Sequence, residues 1–257
     1  EDPVNAEVLY VGSDRGVYVS LDRGARWETL DAGLPNVPVH DLVVHPRDRQ
    51  LVAATHGRSV WIVDALPVQE LTPAVRAEPA HLFHVDDVQA DRGWRSRPSR
   101  WFDETPYLPK AMIHYWAKAG GPGSLRVLDG DQRVLREIAV DAQPGINRIE
   151  WDLLVDRDLA LAAERAANEA TASSDDSKDA DKNTAKDDAE DDTTGRLART
   201  PYAESVRLGH RLYVQPGTLT LQLALAGHTS ETPLTVKAPE PRKPRKPAAP
   251  ALRGRDE

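Results

Sequence analysis

The residues able to do chemistry are few, and their spacing speaks of turns more than of reactions. Cysteine is absent, which removes thiolate nucleophiles, thiolate metal ligands and disulfides. Ser20, Asp22, Gly24 and Trp27 follow the spacing S-x-D-x-G-x-x-W. In such a turn the carboxylate accepts backbone N–H bonds, the glycine takes a positive φ, and the tryptophan packs beneath from the outgoing strand. Asp22 is therefore predicted to hold a turn. A second set, His56, Arg58, Trp61 and Asp64, lies in THGRSVWIVD. It forms a candidate interaction surface, with the alternative that His56 and Gly57 shape a turn and Arg58 pairs with a neighbouring carboxylate. His40, His45, His81 and His84 have no compact metal spacing; a strand would send His81 and His84 to opposite faces.

The elements that must position these residues are short strands. EVLYVG and GVYVS, separated by Ser13-Asp14-Arg15, predict a hairpin, and Arg26 to Leu30 leaves the turn as a third strand. Val39 to His45, Leu51 to Thr55 and Val60 to Asp64 follow. Sliding the chain by 42 residues lays Leu51 on Leu9 and Asp64 on Asp22. That period suits one blade of a propeller built from four-stranded sheets.

S-x-D-x-G-x-x-W resembles the Asp-box, or BNR repeat, of β-propellers in sialidases, sortilin-type receptors and a group of exported bacterial BNR proteins. LYVGSDRGVYVSLDRGARW, LPNVPVHDLVVHP and LVAATHGRSVWIVD are similar to the last blades of that bacterial group over residues 5 to 72. The resemblance implies an Asp-box on the blade rim, away from any catalytic face. It also implies an extracytoplasmic location in a bacterium: periplasmic, secreted or at the cell surface. About two blades cannot close a ring of four to eight, so residues 1–80 are expected to be the C-terminal blades of a longer propeller, with upstream blades of a parent chain as partners. Glu1-Asp2-Pro3 reads as a start in mid-chain.

Residues 81–110 read as a connector, with Trp94 and Trp101 as packing anchors or, in the sharper alternative, a sugar-stacking platform. Residues 111–240 read as a β-sandwich: AMIHYWAK, SLRVLD, RVLREIAV and GINRIEWDL predict four strands, and HRLYVQPGTLTLQLALAG with TPLTVK about three more. Apolar residues on both faces of AMIHYWAK suit a strand lying between its sheet and a neighbouring domain, and Trp151 suits the core. DGDQRVLREIAVDAQPGINRIEWDL with PGTLTLQL looks like the immunoglobulin-like domain of flagellar hook-cap proteins, which brings no catalytic residues. An insertion at about 157–200 interrupts the sandwich. It opens with a helix former, Leu159 to Ala172, and continues as acidic text too polar to offset its ordering entropy. Its Asp pairs lack the spacing of a calcium loop. Residues 241–257 form a basic, proline-rich tail.

Composition bounds the function. The chain of 257 residues is 40% hydrophobic with mean hydropathy −0.55 and net charge −8. Between Glu164 and Asp192 stand eleven acids and four bases, so the folded parts are near neutral and carry no nucleic-acid footprint. No apolar run reaches the roughly 20 residues of a spanning helix. The fold expected is all-β: a partial propeller followed by an immunoglobulin-like sandwich with a disordered acidic insertion. No catalytic, cofactor or metal residue is assigned. The expected function is a non-catalytic module of an exported sortilin-like protein that binds a protein or peptide. The alternative is the C-terminal part of a sialidase-like glycoside hydrolase whose site lies upstream. That chemistry needs an acid/base pair and an arginine cluster, and Arg15, Arg23, Arg47, Arg58 and Arg76 show no such grouping in the text.

Overall fold

The computed structural model describes residues 1–30, 33–91, 94, 109–175 and 201–240. Trp101, the acidic text 176–200 and the tail 241–257 lie outside them. The architecture is all-β, strands dominating over a few helices.

The alternating runs at the N-terminus form two small antiparallel sheets. β1 (Leu9–Ser13), β2 (Gly16–Ser20) and β3 (Glu28–Thr29) make one; β4 (Val39–His45), β5 (Gln50–Thr55) and β6 (Val60–Asp64) make the other. The 42-residue offset is out of phase with the sheets. It equates β1 and β2 with β5 and β6, so the first sheet has a strand after the shared hairpin and the second has one before it. The sheets meet over Val17, Leu51, Ala53 and Ala65, with Tyr10, Leu30 and Leu42 around them. Gly12 marks the closest approach: a Cβ there would stand 2.9 Å from the Val39 carbonyl oxygen.

After β6 the chain forms two short helices, α1 (Leu66–Glu70) and α2 (Pro73–Ala77). Proline stands in the first turn of each, where its missing N–H costs nothing, and Thr72 Oγ1 caps α2 by accepting from Val75 N at 3.3 Å. α1 is tied to the N-terminus through buried Asp2. Its carboxylate accepts from Val4 N and Asn5 N at 2.8 and 2.9 Å, from Gln69 Nε2 at 2.9 Å and from Tyr10 Oη at 3.1 Å. Burial, then the Asp2 charge, raises the Tyr10 phenol far above its usual range.

Two further sheets pack face to face. β7 (Ala80–Leu82), β9 (Ala111–Ala117) and β12 (Gly145–Trp151) form one, in the order β12-β9-β7. β8 (Val88–Gln89), β10 (Gly121–Leu128), β11 (Val134–Ala142), β13 (Gly217–Leu225) and β14 (His228–Lys237) form the other, in the order β11-β10-β13-β14-β8. Ile113, Tyr115, Leu125, Val127, Leu221, Leu223 and Leu234 fill the space between, and Trp151 is buried there with Nε1 donating to the Leu154 carbonyl at 2.9 Å.

The segment read as a connector thus supplies most of β7 and all of β8. β8 pairs in parallel with the end of β14, Val88 opposite Val236, a pairing local text cannot announce. Trp94 packs on Tyr213 with ring centroids 5.6 Å apart. HRLYVQPGTLTLQLALAG and TPLTVK hold two strands rather than three: Tyr213 makes an isolated bridge to Leu154, and β13 turns into a longer β14 through Ala226 and Gly227, with φ of 52° and 75°. The helix expected at Leu159 to Ala172 is α3 (Arg157–Asp175). A short α4 (Tyr202–Arg207) packs on it, Tyr202 N and Ala203 N donating to the Glu164 carboxylate at 3.1 and 2.9 Å.

Candidate functional site

The Ser20 to Trp27 turn has the hydrogen bonding its spacing predicts. Ser20 is buried, and its hydroxyl accepts from Gly24 N at 2.7 Å and donates to Asp22 Oδ1 at 2.9 Å. Asp22 Oδ1 also accepts from Arg26 N at 2.8 Å. That N–H and the Ser20 hydroxyl hold the Asp22 carboxyl below the usual carboxylate range, as expected where hydrogen bonds stabilise the charged form. Gly24 has φ +91°. Trp27 departs from expectation: it stands just before the two-residue β3, lies against the Gly24 turn and stays 42% exposed.

The second predicted set is divided. At the β5–β6 tip, Thr55 N donates to the Ser59 carbonyl at 3.2 Å, His56 N to the Pro38 carbonyl at 2.9 Å, and Trp61 Nε1 to the Arg58 carbonyl at 2.8 Å. These bonds fix His56, Arg58 and Trp61 at one end of the hairpin. Asp64 is three residues beyond Trp61, about 10 Å along an extended strand, at the opposite end of β6. Of the arginines considered for a substrate clamp, Arg23 pairs with Glu7 at 2.9 Å, Arg47 with Asp48 at 2.7 Å and Arg76 with Glu28 at 3.3 Å. They are spread over the surface as ion pairs.

Asp64 opens into a cavity of about 700 Å³ between the second small sheet and the outer face of the β12-β9-β7 sheet. Alternation along β9 sends Ile113 and Tyr115 inward and Met112, His114 and Trp116 outward. Trp116 packs with Leu66, Leu71 and Phe83, closing one end of that face, while Met112 and Ile146 remain 38% and 40% exposed beside Ile62 at 62%. Asp64, Asp86 and Asp87 line the cavity from β6 and the 84–88 segment; Lys110, His114 and Arg148 line it from β9, β12 and the residue before β9. Met112, Ile146 and Ile62 give it an apolar floor, with carboxylates on one side and bases on the other; Lys110 is paired with Glu150, and Asp87 with Lys237 at 2.9 Å.

At its centre His114 Nδ1 lies 3.4 Å from Asp64 Oδ2, while Asp64 Oδ1 accepts from Leu66 N at 2.9 Å. Burial pushes the Asp64 carboxyl up, against the Leu66 N–H and the His114 charge. Burial pushes the His114 imidazole down, against the attraction of Asp64. The two shifts run in opposite senses from one cause, the removal of both groups from water. The described residues lining the cavity include no serine, threonine, tyrosine or cysteine, and the Asp64–His114 contact is its closest polar pair across the two sheets. It presents hydrogen-bond acceptors beside an apolar floor.

His114, Arg148 and Asp86 belong to this site and carry no motif in the sequence. The signal for His114 is the alternation of β9, which places it on the outward face with Met112 and Trp116. Among the described residues no group of three or more His, Cys, Asp or Glu could hold a metal ion, and no helix is long and apolar enough to cross a membrane. Comparison with protein-family models, with curated proteins and with solved structures finds no match.

Proposed function

We propose that this chain is a non-catalytic interaction module that takes a peptide or an exposed protein segment in the cleft beneath β6. The reading rests on one observation: a cavity of about 700 Å³ with an apolar floor, acids on one side and bases on the other. Apolar pockets with few placed polar groups are the usual form of a ligand site, and oppositely charged walls orient a segment carrying both signs. In this proposal the small sheets are the C-terminal blades of an Asp-box propeller of the exported, sortilin-like kind. They are completed by upstream blades and followed by an immunoglobulin-like domain similar to that of flagellar hook-cap proteins. The Asp-box hydrogen bonding and the 42-residue repeat support that assignment.

Met112 is the chain's single methionine and lines the cleft, so its ¹³C-methyl resonance reports occupancy directly. A set of short peptides with an apolar centre and opposite charges at the ends is titrated against the chain. The expected result is a saturable shift of the Met112 methyl that Ile62→Asp and Arg148→Glu each remove. Peptides that leave this resonance unmoved, or bind equally to both variants, would overturn the reading.

A further inference from the structure

The histidine missing from any metal spacing in the sequence finds its partner across the second small sheet. His40 is the second residue of β4 and His56 the first after β5; Val39 pairs with Thr55 in the antiparallel register, and a bulge between Val39 and Asp41 leaves His40 out of the ladder. The His40 Nε2 and His56 Nδ1 atoms lie 3.3 Å apart, with ring planes inclined at 67° and both side chains exposed. The backbone under the pair is secured: His56 N donates to the Pro38 carbonyl at 2.9 Å, and Thr55 Oγ1 donates to the Ser59 carbonyl at 2.6 Å.

We infer that His40 and His56 form a two-histidine site for a divalent transition-metal ion of the zinc class. The reason is the bite. Two imidazole nitrogens bound at about 2.0–2.1 Å to a tetrahedral ion stand roughly 3.3–3.4 Å apart, and the two nitrogens here already have that separation. Histidine χ2 is soft, so a modest ring rotation turns both lone pairs onto one ion. Imidazole suits zinc, copper and nickel and does not suit calcium or magnesium. The chain supplies two ligands, leaving the remaining positions to water or to an incoming donor. The site is separate from the cleft, which lies at the other end of β6.

The test is calorimetric titration of the intact chain with zinc chloride near pH 7.5, followed by ¹H–¹⁵N spectra of the imidazoles. One ion per chain is expected, with the His40 Nε2 and His56 Nδ1 resonances shifting together. His40→Ala and His56→Ala each weaken binding by at least about tenfold, the lower end of what even a change one bond further from a metal costs. His45→Ala, five residues from His40 at the far end of β4, leaves affinity unchanged. Both ligands are exposed, so the variants fold, which their metal-free melting curves check. Absence of zinc binding in the parent chain would show a hydrogen-bonded imidazole pair and nothing more. Binding unchanged in either variant would place the ion elsewhere; either result overturns the inference.

Discussion

Ser20→Ala removes one oxygen from the Asp-box turn, and the structure sets the size of the effect. The hydroxyl is 1% exposed with its residue, accepts from Gly24 N at 2.7 Å and donates to Asp22 Oδ1 at 2.9 Å. Each such bond contributes on the order of 1 kcal/mol net, and a buried donor left without a partner costs about 1–3 kcal/mol. Alanine forfeits these bonds and a longer one from Asp22 N at 3.4 Å, and leaves the half-buried Gly24 N–H without its partner, so the first small sheet loses roughly 2–3 kcal/mol. Native-state hydrogen exchange is the assay, because it reads local opening at Gly24 and Arg26 separately from global unfolding. Those amides are expected to exchange about thirtyfold to a hundredfold faster, the rate equivalent of that loss, while amides of β10 and β13 stay unchanged. Asp22→Asn keeps an acceptor for Arg26 N and has a smaller effect. Acceleration below about threefold at Gly24, a loss no larger than ordinary surface substitutions give, would refute the argument that this hydroxyl organises the turn.

Other outcomes are expected from the same geometry. Because burial lowers the His114 pKa from its ordinary 6.5, the unfolded chain takes up a proton there before the folded one. Stability is complete above pH 6.5 and falls as pH drops through the window beneath it, and urea titrations of His114→Gln should show that part of the slope gone. Trp151→Ala removes the largest of the fully buried side chains among the described residues and deprives the Leu154 carbonyl of its donor; it should cost about 3–5 kcal/mol in denaturant melts. Ala226 sits at φ 52° in a two-residue hairpin with Gly227, a conformation asparagine tolerates better; Ala226→Asn should raise the melting temperature, with a gain of about 0.5 kcal/mol.

The strands were legible where alternation and turn residues agree. β9, β11 and β12 begin and end within about two residues of where their apolar periods do, a normal margin for element ends. The two helices after β6 carry a readable signal, a threonine cap and proline in the first turn, yet each is only five residues long and has no periodicity to display. β8 is invisible for a different reason: two residues joined to a strand almost 150 positions away are held by a contact that no window contains. The cleft shares that difficulty. Asp64 stands out as the repeat partner of Asp22, and His114 is placed on an outward face by its strand, but fifty residues separate them and only the packing of Trp116 against Leu66, Leu71 and Phe83 brings the two faces together. Trp27 shows the converse, a motif residue whose type predicts burial but which stays 42% exposed.

The parallel pairing of β8 with the end of β14 has a mechanical meaning. Because the two strands run the same way, the chain enters β8 at one end of the ladder and leaves β14 at the other. A pull between these two segments therefore slides the strands along one another, loading the Val88–Val236 ladder, the Ala90 N bond to the Lys237 carbonyl at 2.9 Å and the Lys237–Asp87 pair at 2.9 Å together. Bonds loaded in shear yield as a group, whereas those of a peeled hairpin break singly. Tension arriving through residues 85–87 would thus meet the clasp in shear before it could peel β14 from β13.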